Sequence, residues 1–92
     1  MLYAVQYRYI DDAEKLGEIR PAHRRYNASL HEQGLIVAAG PYAETPGALL
    51  LYSAPDRTAV EAALAQDPVW LHGCVAERTI NEWTPAIGGV GI

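Results

Sequence analysis

The chain has no phenylalanine, one cysteine (Cys74), one methionine (Met1) and no long uninterrupted apolar run. A single cysteine excludes an internal disulfide and suits a reducing compartment. Crossing a bilayer takes about 18 or more consecutive apolar residues, so no spanning segment is expected and a membrane is not a partner. A basic stripe is also missing. Eleven acidic and seven basic side chains, net charge -4, are scattered along 92 residues. Phosphate backbones are held by clustered lysine and arginine, so no nucleic acid partner is expected. The opening stretch, Met1 to Ile10, alternates from its first residues and lacks the basic start and unbroken apolar core of a secretion leader. A cytoplasmic location is therefore expected. Asn27-Ala28-Ser29 matches a glycosylation sequon, which is not read as a site without such a leader.

What is present is a half-hydrophobic chain whose aromatics are six tyrosines and two tryptophans. These side chains bury well while keeping a polar end, which suits interfaces and pocket walls. The length is that of one domain. A chain this short buries roughly 60–65% of its extended surface, so a lone copy would be marginally stable. Covering a sheet face with a second copy is one remedy.

Residues 2–10 alternate as a strand, with Tyr3, Val5, Tyr7 and Tyr9 on one face. Neither face is cleanly polar, so both are expected to be covered. Asp11-Asp12 offers an N-cap, and a helical pattern runs from there to about Gln33, stopped by Gly34. Pro21 predicts a break or kink, with the better helix starting at the proline. Residues 35–43 and 48–53 read as a hairpin joined by a turn over 43–47. Asp56 caps a second helix, which Asp67-Pro68 interrupts, and residues 75–83 alternate as a last strand. The order β-α-β-β-α-β is the ferredoxin-like α+β arrangement, an antiparallel sheet with both helices on one face. Residues 1–83 form this single domain. Residues 84–92 form an apolar, glycine-rich tail expected to lie against the body or a partner subunit. Its glycines lack the strand and helix of a phosphate loop, so no nucleotide is expected.

Advancing the first helix by 100° per residue puts Leu16, Ile19, His23, Tyr26 and Leu30 on one arc of roughly 80°. Arg20, Arg24, Asn27 and His31 lie beside it, toward solvent or a pocket rim. In the second helical stretch Val60, Leu64, Asp67 and Leu71 share an inward face, which directs the Asp67 carboxylate inward as well. Two helices on one sheet face can bring His23 and Asp67 into the same layer. A carboxylate that accepts one imidazole proton fixes the tautomer and leaves the other nitrogen for proton transfer. The spacing equally allows a plainer reading: Asp67 before Pro68 is an ordinary helix cap, and His23 a hydrogen-bonded structural residue. The roles are compatible, since a carboxylate has acceptor sites for both. His72-Gly73-Cys74 could give two metal ligands but has no second close pair, so no metal is expected. Cys74 has nothing to activate it, and Ser29 lacks a nucleophile's turn. Arg20, Arg24 and Arg25 read as a solvated helix face or as holders of an anionic substrate.

The chain resembles the YciI-like (YCII-related) family through residues 1–83. The resemblance rests on Arg20-Pro21-Ala22-His23 with Tyr26, on Leu30, Gly34 and residues 38–41 (AAGP), and then on Gly47, Asp67-Pro68 and Trp83. It implies a dimeric α+β barrel, two sheets packed face to face in a homodimer. It also implies a cofactor-free active site built on a His–Asp pair, mapping onto His23 and Asp67. Arg20, Arg24, Tyr26, Gly40, Pro41 and Trp70 are expected around a small-molecule substrate. Two departures stand out: Val69-Trp70 where the family tends to have Phe after Asp-Pro, and the unusual His72-Gly73-Cys74. Trp70 would reline the pocket. The implied chemistry is elimination or isomerisation of a small, aromatic or lactone-like compound, with His23 as general base and then acid. Two other readings compete: a non-catalytic dimeric module that binds a ligand or a partner, and a cofactor-free oxygenase-like relative.

Overall fold

The structure is a computed structural model describing residues 1–89. The element order is β1 (Leu2–Tyr9), α1 (Ala13–Glu32), β2 (Ile36–Pro41), β3 (Gly47–Ser53), α2 (Arg57–Leu64), a short α3 (Pro68–Leu71) and β4 (Val75–Trp83). The four strands form one antiparallel sheet in the order β2-β3-β1-β4. This is the ferredoxin-like α+β arrangement, with β2 and β4 as its edges.

The alternation of β1 sets the two faces. Tyr3, Val5, Tyr7 and Tyr9 are buried with Leu50, Tyr52 and Ile80 from the neighbouring strands, and the helices supply Leu16, Leu30, Val60 and Leu64 to the same core. Burial of these tyrosines disfavours the phenolate. Their hydroxyls stay protonated, with Tyr9 pushed up to about 12 and Tyr7 and Tyr52 raised further. In each case burial is the larger cause and the charge of Asp67 the second. The opposite face is open in the single chain. Ala4, Leu49 and Leu51 are half-buried there, and Tyr42 and Trp83 are exposed.

Caps form where the acidic residues stand. Asp12 accepts from the Lys15 amide at 3.0 Å, and Asp56 from the Ala59 amide at 2.9 Å. The expected break at Pro21 does not occur: α1 runs unbroken from Ala13 to Glu32. Pro21 and Gly17, four residues earlier, are both exposed. The carbonyl that loses its amide partner to the proline therefore lies on the side where water can replace it. Residues Thr84–Gly89 are exposed apart from half-buried Pro85, so this part of the tail does not lie against the body of the single chain; residues 90–92 of the expected tail lie outside the described residues.

Gly47 pairs with Arg8 across the β1–β3 ladder, and a Cβ there would overlap the Tyr7 carbonyl oxygen. The obstacle is backbone, which cannot swing aside as a side chain can. Gly47→Ala is expected to cost about 1–3 kcal/mol in urea unfolding. A loss below about 0.5 kcal/mol would show that this pairing slides freely.

Candidate functional site

Asp67 is the N-cap of α3, and its side chain is wholly buried. Its own helix takes little of its bonding capacity, since Oδ1 accepts from the Val69 amide at a long 3.3 Å. The same Oδ1 accepts from His23 Nδ1–H at 2.6 Å, and Oδ2 accepts from the Tyr7 hydroxyl at 2.9 Å. Three donors from β1, α1 and α3 thus surround one carboxylate, as a buried charge requires. The cap and the imidazole partner are roles of the same group. The Asp67 charge in turn helps keep Tyr7 protonated, so that its hydroxyl remains a donor.

His23 is 8% exposed and reaches Asp67 from the middle of α1. With Nδ1 bearing the proton, the neutral ring has its lone pair on Nε2. That nitrogen is not free: the Asn27 amide, one turn along α1, donates to it at 3.2 Å. Asn27 Oδ1 is buried without a partner among the described residues. If the amide turns over, Oδ1 can accept from a protonated Nε2, so Asn27 can partner either state of the ring.

His23 and Asn27 lie on the wall of a cleft of about 460 Å³ between α1 and β2, within the range of small-molecule sites. The α1 wall is polar, carrying Arg20, His23, Arg24, Asn27 and His31. The β2 wall is all of Ile36–Pro41, apolar and mostly small, with Tyr9, Ala48 and Leu50 completing the lining. Arg20 and Arg24 have no ion-pair partner among the described residues. Two cations facing a flat apolar strand suit a planar anion. A Cβ at Gly40 would meet nothing within 4 Å, so packing within the chain does not demand glycine at that part of the wall.

Arg20, Arg24, Gly40 and Pro41 therefore line the cleft with His23, and Asp67 stands behind it. Tyr26 and Trp70 do not line it. The Tyr26 hydroxyl donates to the Ala63 carbonyl at 2.6 Å, fastening α1 to α2. Trp70 is on the short α3, where the Arg78 guanidinium stacks on its ring at 3.9 Å. A side chain on the same arc as His23 can lean toward α2 instead of β2, and a four-residue helix gives no periodicity from which to aim a tryptophan. Sequence reasoning missed Tyr7 as a partner of Asp67, and it placed Asn27 and His31 toward solvent or a pocket rim without naming them as ligand-facing. The signal for the last two was present: they follow His23 at i+4 and i+8 on the same flank.

Among the described residues no group of three His, Cys, Asp or Glu side chains could hold a metal ion, and no helix is long and apolar enough to cross a membrane. Comparison with curated proteins finds no match. Among solved structures the chain is similar to 5-chloro-2-hydroxyhydroquinone dehydrochlorinase from Burkholderia phenoliruptrix, in complex with 2,5-dihydroxybenzoquinone. The TM-score is 0.81 at 19% identity, covering 91% of this chain and 94% of that one. An antibiotic biosynthesis monooxygenase gives a TM-score of 0.60 at 16% identity, covering 92% and 100% of the two chains. A NIPSNAP domain protein from Burkholderia xenovorans gives 0.58 at 17% identity, covering 95% and 96%. At such identities the likeness is one of fold. The model of the YCII-related domain matches residues 1–84, and the chain belongs to that family.

Proposed function

We propose that the protein is a cofactor-independent acid–base enzyme acting on a small hydroxylated ring, with His23 as the proton-transferring group and Asp67 as its orienting partner. The observation that carries this reading is the buried 2.6 Å His23–Asp67 contact beside a cleft with one polar and one flat apolar wall. The structural neighbour in complex with 2,5-dihydroxybenzoquinone supports the ligand class. In an isomerisation, His23 Nε2, once Asn27 gives way, takes a proton from the ring and returns it at another atom. In an elimination the electron pair left behind expels a ring substituent as its anion. Arg20 and Arg24 stabilise the oxyanion that forms between these steps. Gly40 and Pro41 give the ring a flat surface.

The test is incubation with chloro- and hydroxy-substituted hydroquinones, following ring absorbance and chloride release. Turnover by the wild type that disappears in His23→Asn supports the reading, and turnover unchanged in His23→Asn overturns it. One observation favours a second reading, a ligand-binding module: in the resting site Asn27 occupies Nε2, so the pair is a closed hydrogen-bond network. Under that reading the wild type binds these rings and turns over none of them.

We further propose that a second copy of the chain covers the open sheet face, where Ala4, Leu49 and Leu51 are only half-buried. Sedimentation equilibrium is expected to give twice the chain mass, and Leu51→Glu the mass of one chain. A wild type that sediments as one chain at micromolar concentration overturns this.

A further inference from the structure

We propose that His31 is a second ligand-facing proton-transferring residue of the cleft, exchanging a proton through Nε2 with a ring oxygen at the end of the site away from His23. This rests on the reading that the cleft takes a hydroxylated ring. His31 lines the cleft on the same wall as His23, in the last turn of α1. Its Nδ1 lies 2.7 Å from the Ile36 carbonyl oxygen. A carbonyl only accepts, so Nδ1 carries the proton and the neutral ring must present its lone pair at Nε2. Nε2 has no hydrogen-bond partner among the described residues. The two cleft histidines therefore differ. His23 has both nitrogens engaged, by Asp67 and Asn27, whereas His31 has one engaged and one open.

The rise along α1 between the two positions is of the same order as the span of a ring held at both ends. Eight residues of helix separate the two positions by about 12 Å along the axis. A ring with oxygens at para positions, hydrogen-bonded at each, spans about 11 Å. The other charged or titratable groups of the cleft are Tyr9, Arg20 and Arg24, and β2, packed against His31, contributes none. The step is a simple ionisation: the O–H bond breaks, its electron pair stays on the ring oxygen, and the proton moves to Nε2. The result is a ring oxyanion opposite an imidazolium, near two arginines.

The probe is 2,5-dihydroxybenzoquinone, a vinylogous acid whose oxygens are ionised at neutral pH. It enters the site as the product of this step. In the full chain labelled with ¹⁵N-histidine, the neutral His31 ring is expected to show a protonated Nδ1 and a bare Nε2. Binding should draw a proton from solvent onto Nε2, to pair with the ring oxyanion, and move its resonance into the range of a protonated nitrogen. His31→Asn keeps an amide donor where Nδ1 stood and removes Nε2. It is expected to melt within a few degrees of the wild type and to raise the Kd for the probe about tenfold or more. If the wild type binds the probe while the His31 resonances stay put and His31→Asn binds equally well, this proposal is overturned and the reading of the cleft stands. If the wild type does not bind the probe at all, the reading of the cleft fails and the role of His31 with it.

Discussion

Asp67→Ala is expected to lower the unfolding free energy by about 3–5 kcal/mol. Alanine leaves the His23 Nδ1–H, the Tyr7 hydroxyl and the Val69 amide without their acceptor, all in positions that water does not reach. Each orphaned donor costs about 1–3 kcal/mol. The sum is reduced because a buried charge and its desolvation cost disappear together. A domain of this size has about 5–15 kcal/mol to lose, so the variant needs cooling to remain folded. Asp67→Asn with its oxygen at the place of Oδ1 keeps the acceptor for His23 and the Val69 amide and turns its NH2 toward the Tyr7 hydroxyl, and should fall in between. Urea unfolding of the three proteins checks the order. A loss under about 1 kcal/mol for alanine would mean that the carboxylate is neither dry nor shared as the structure has it.

The second large effect falls on chemistry rather than folding. His23→Asn is expected to lower turnover on a substituted hydroquinone by about 10²–10⁴, the contribution of a positioned acid–base group. Asparagine can still donate to Asp67 from the place of Nδ1, so the buried carboxylate keeps that partner. It has no atom at the place of Nε2, and an amide neither takes nor returns a proton near neutral pH. Stability and turnover should therefore separate in this variant, whereas in Asp67→Ala they fall together. A loss of less than about fivefold would place the proton-transferring group elsewhere in the cleft.

The inward direction of His23 and Asp67 was legible because two helical periodicities and one topology suffice to place them. Each lies on an apolar stripe, and β-α-β-β-α-β connectivity puts both stripes on the same sheet face. The rest depended on what periodicity does not carry. Tyr26 shares the arc of His23, but the Ala63 carbonyl draws its hydroxyl to α2. Asn27 and His31 read as rim residues until the strand order placed edge strand β2 beside that flank of α1. Pro21 invoked the bias of the residue before a proline away from the α region, a local preference that the surrounding helix overrides while the carbonyl freed at Gly17 stays open to water. Tyr7 looked like one more core tyrosine, since alternation shows which face a side chain takes and not which atom it meets.

The contacts of Asp67 also bear on how the molecule folds. Its bonds to His23 and Tyr7 join positions 44 and 60 residues apart in sequence. Closing loops of that length costs about 3–4 kcal/mol of chain entropy each, as much as the carboxylate's bonds return. Neither contact can nucleate structure. Both rely on the cooperative packing of β1, α1 and α3, whose many contacts together offset the closure cost that two hydrogen bonds alone do not. The site is thus a late product of folding, and a fragment or half-formed intermediate has no acid–base machinery.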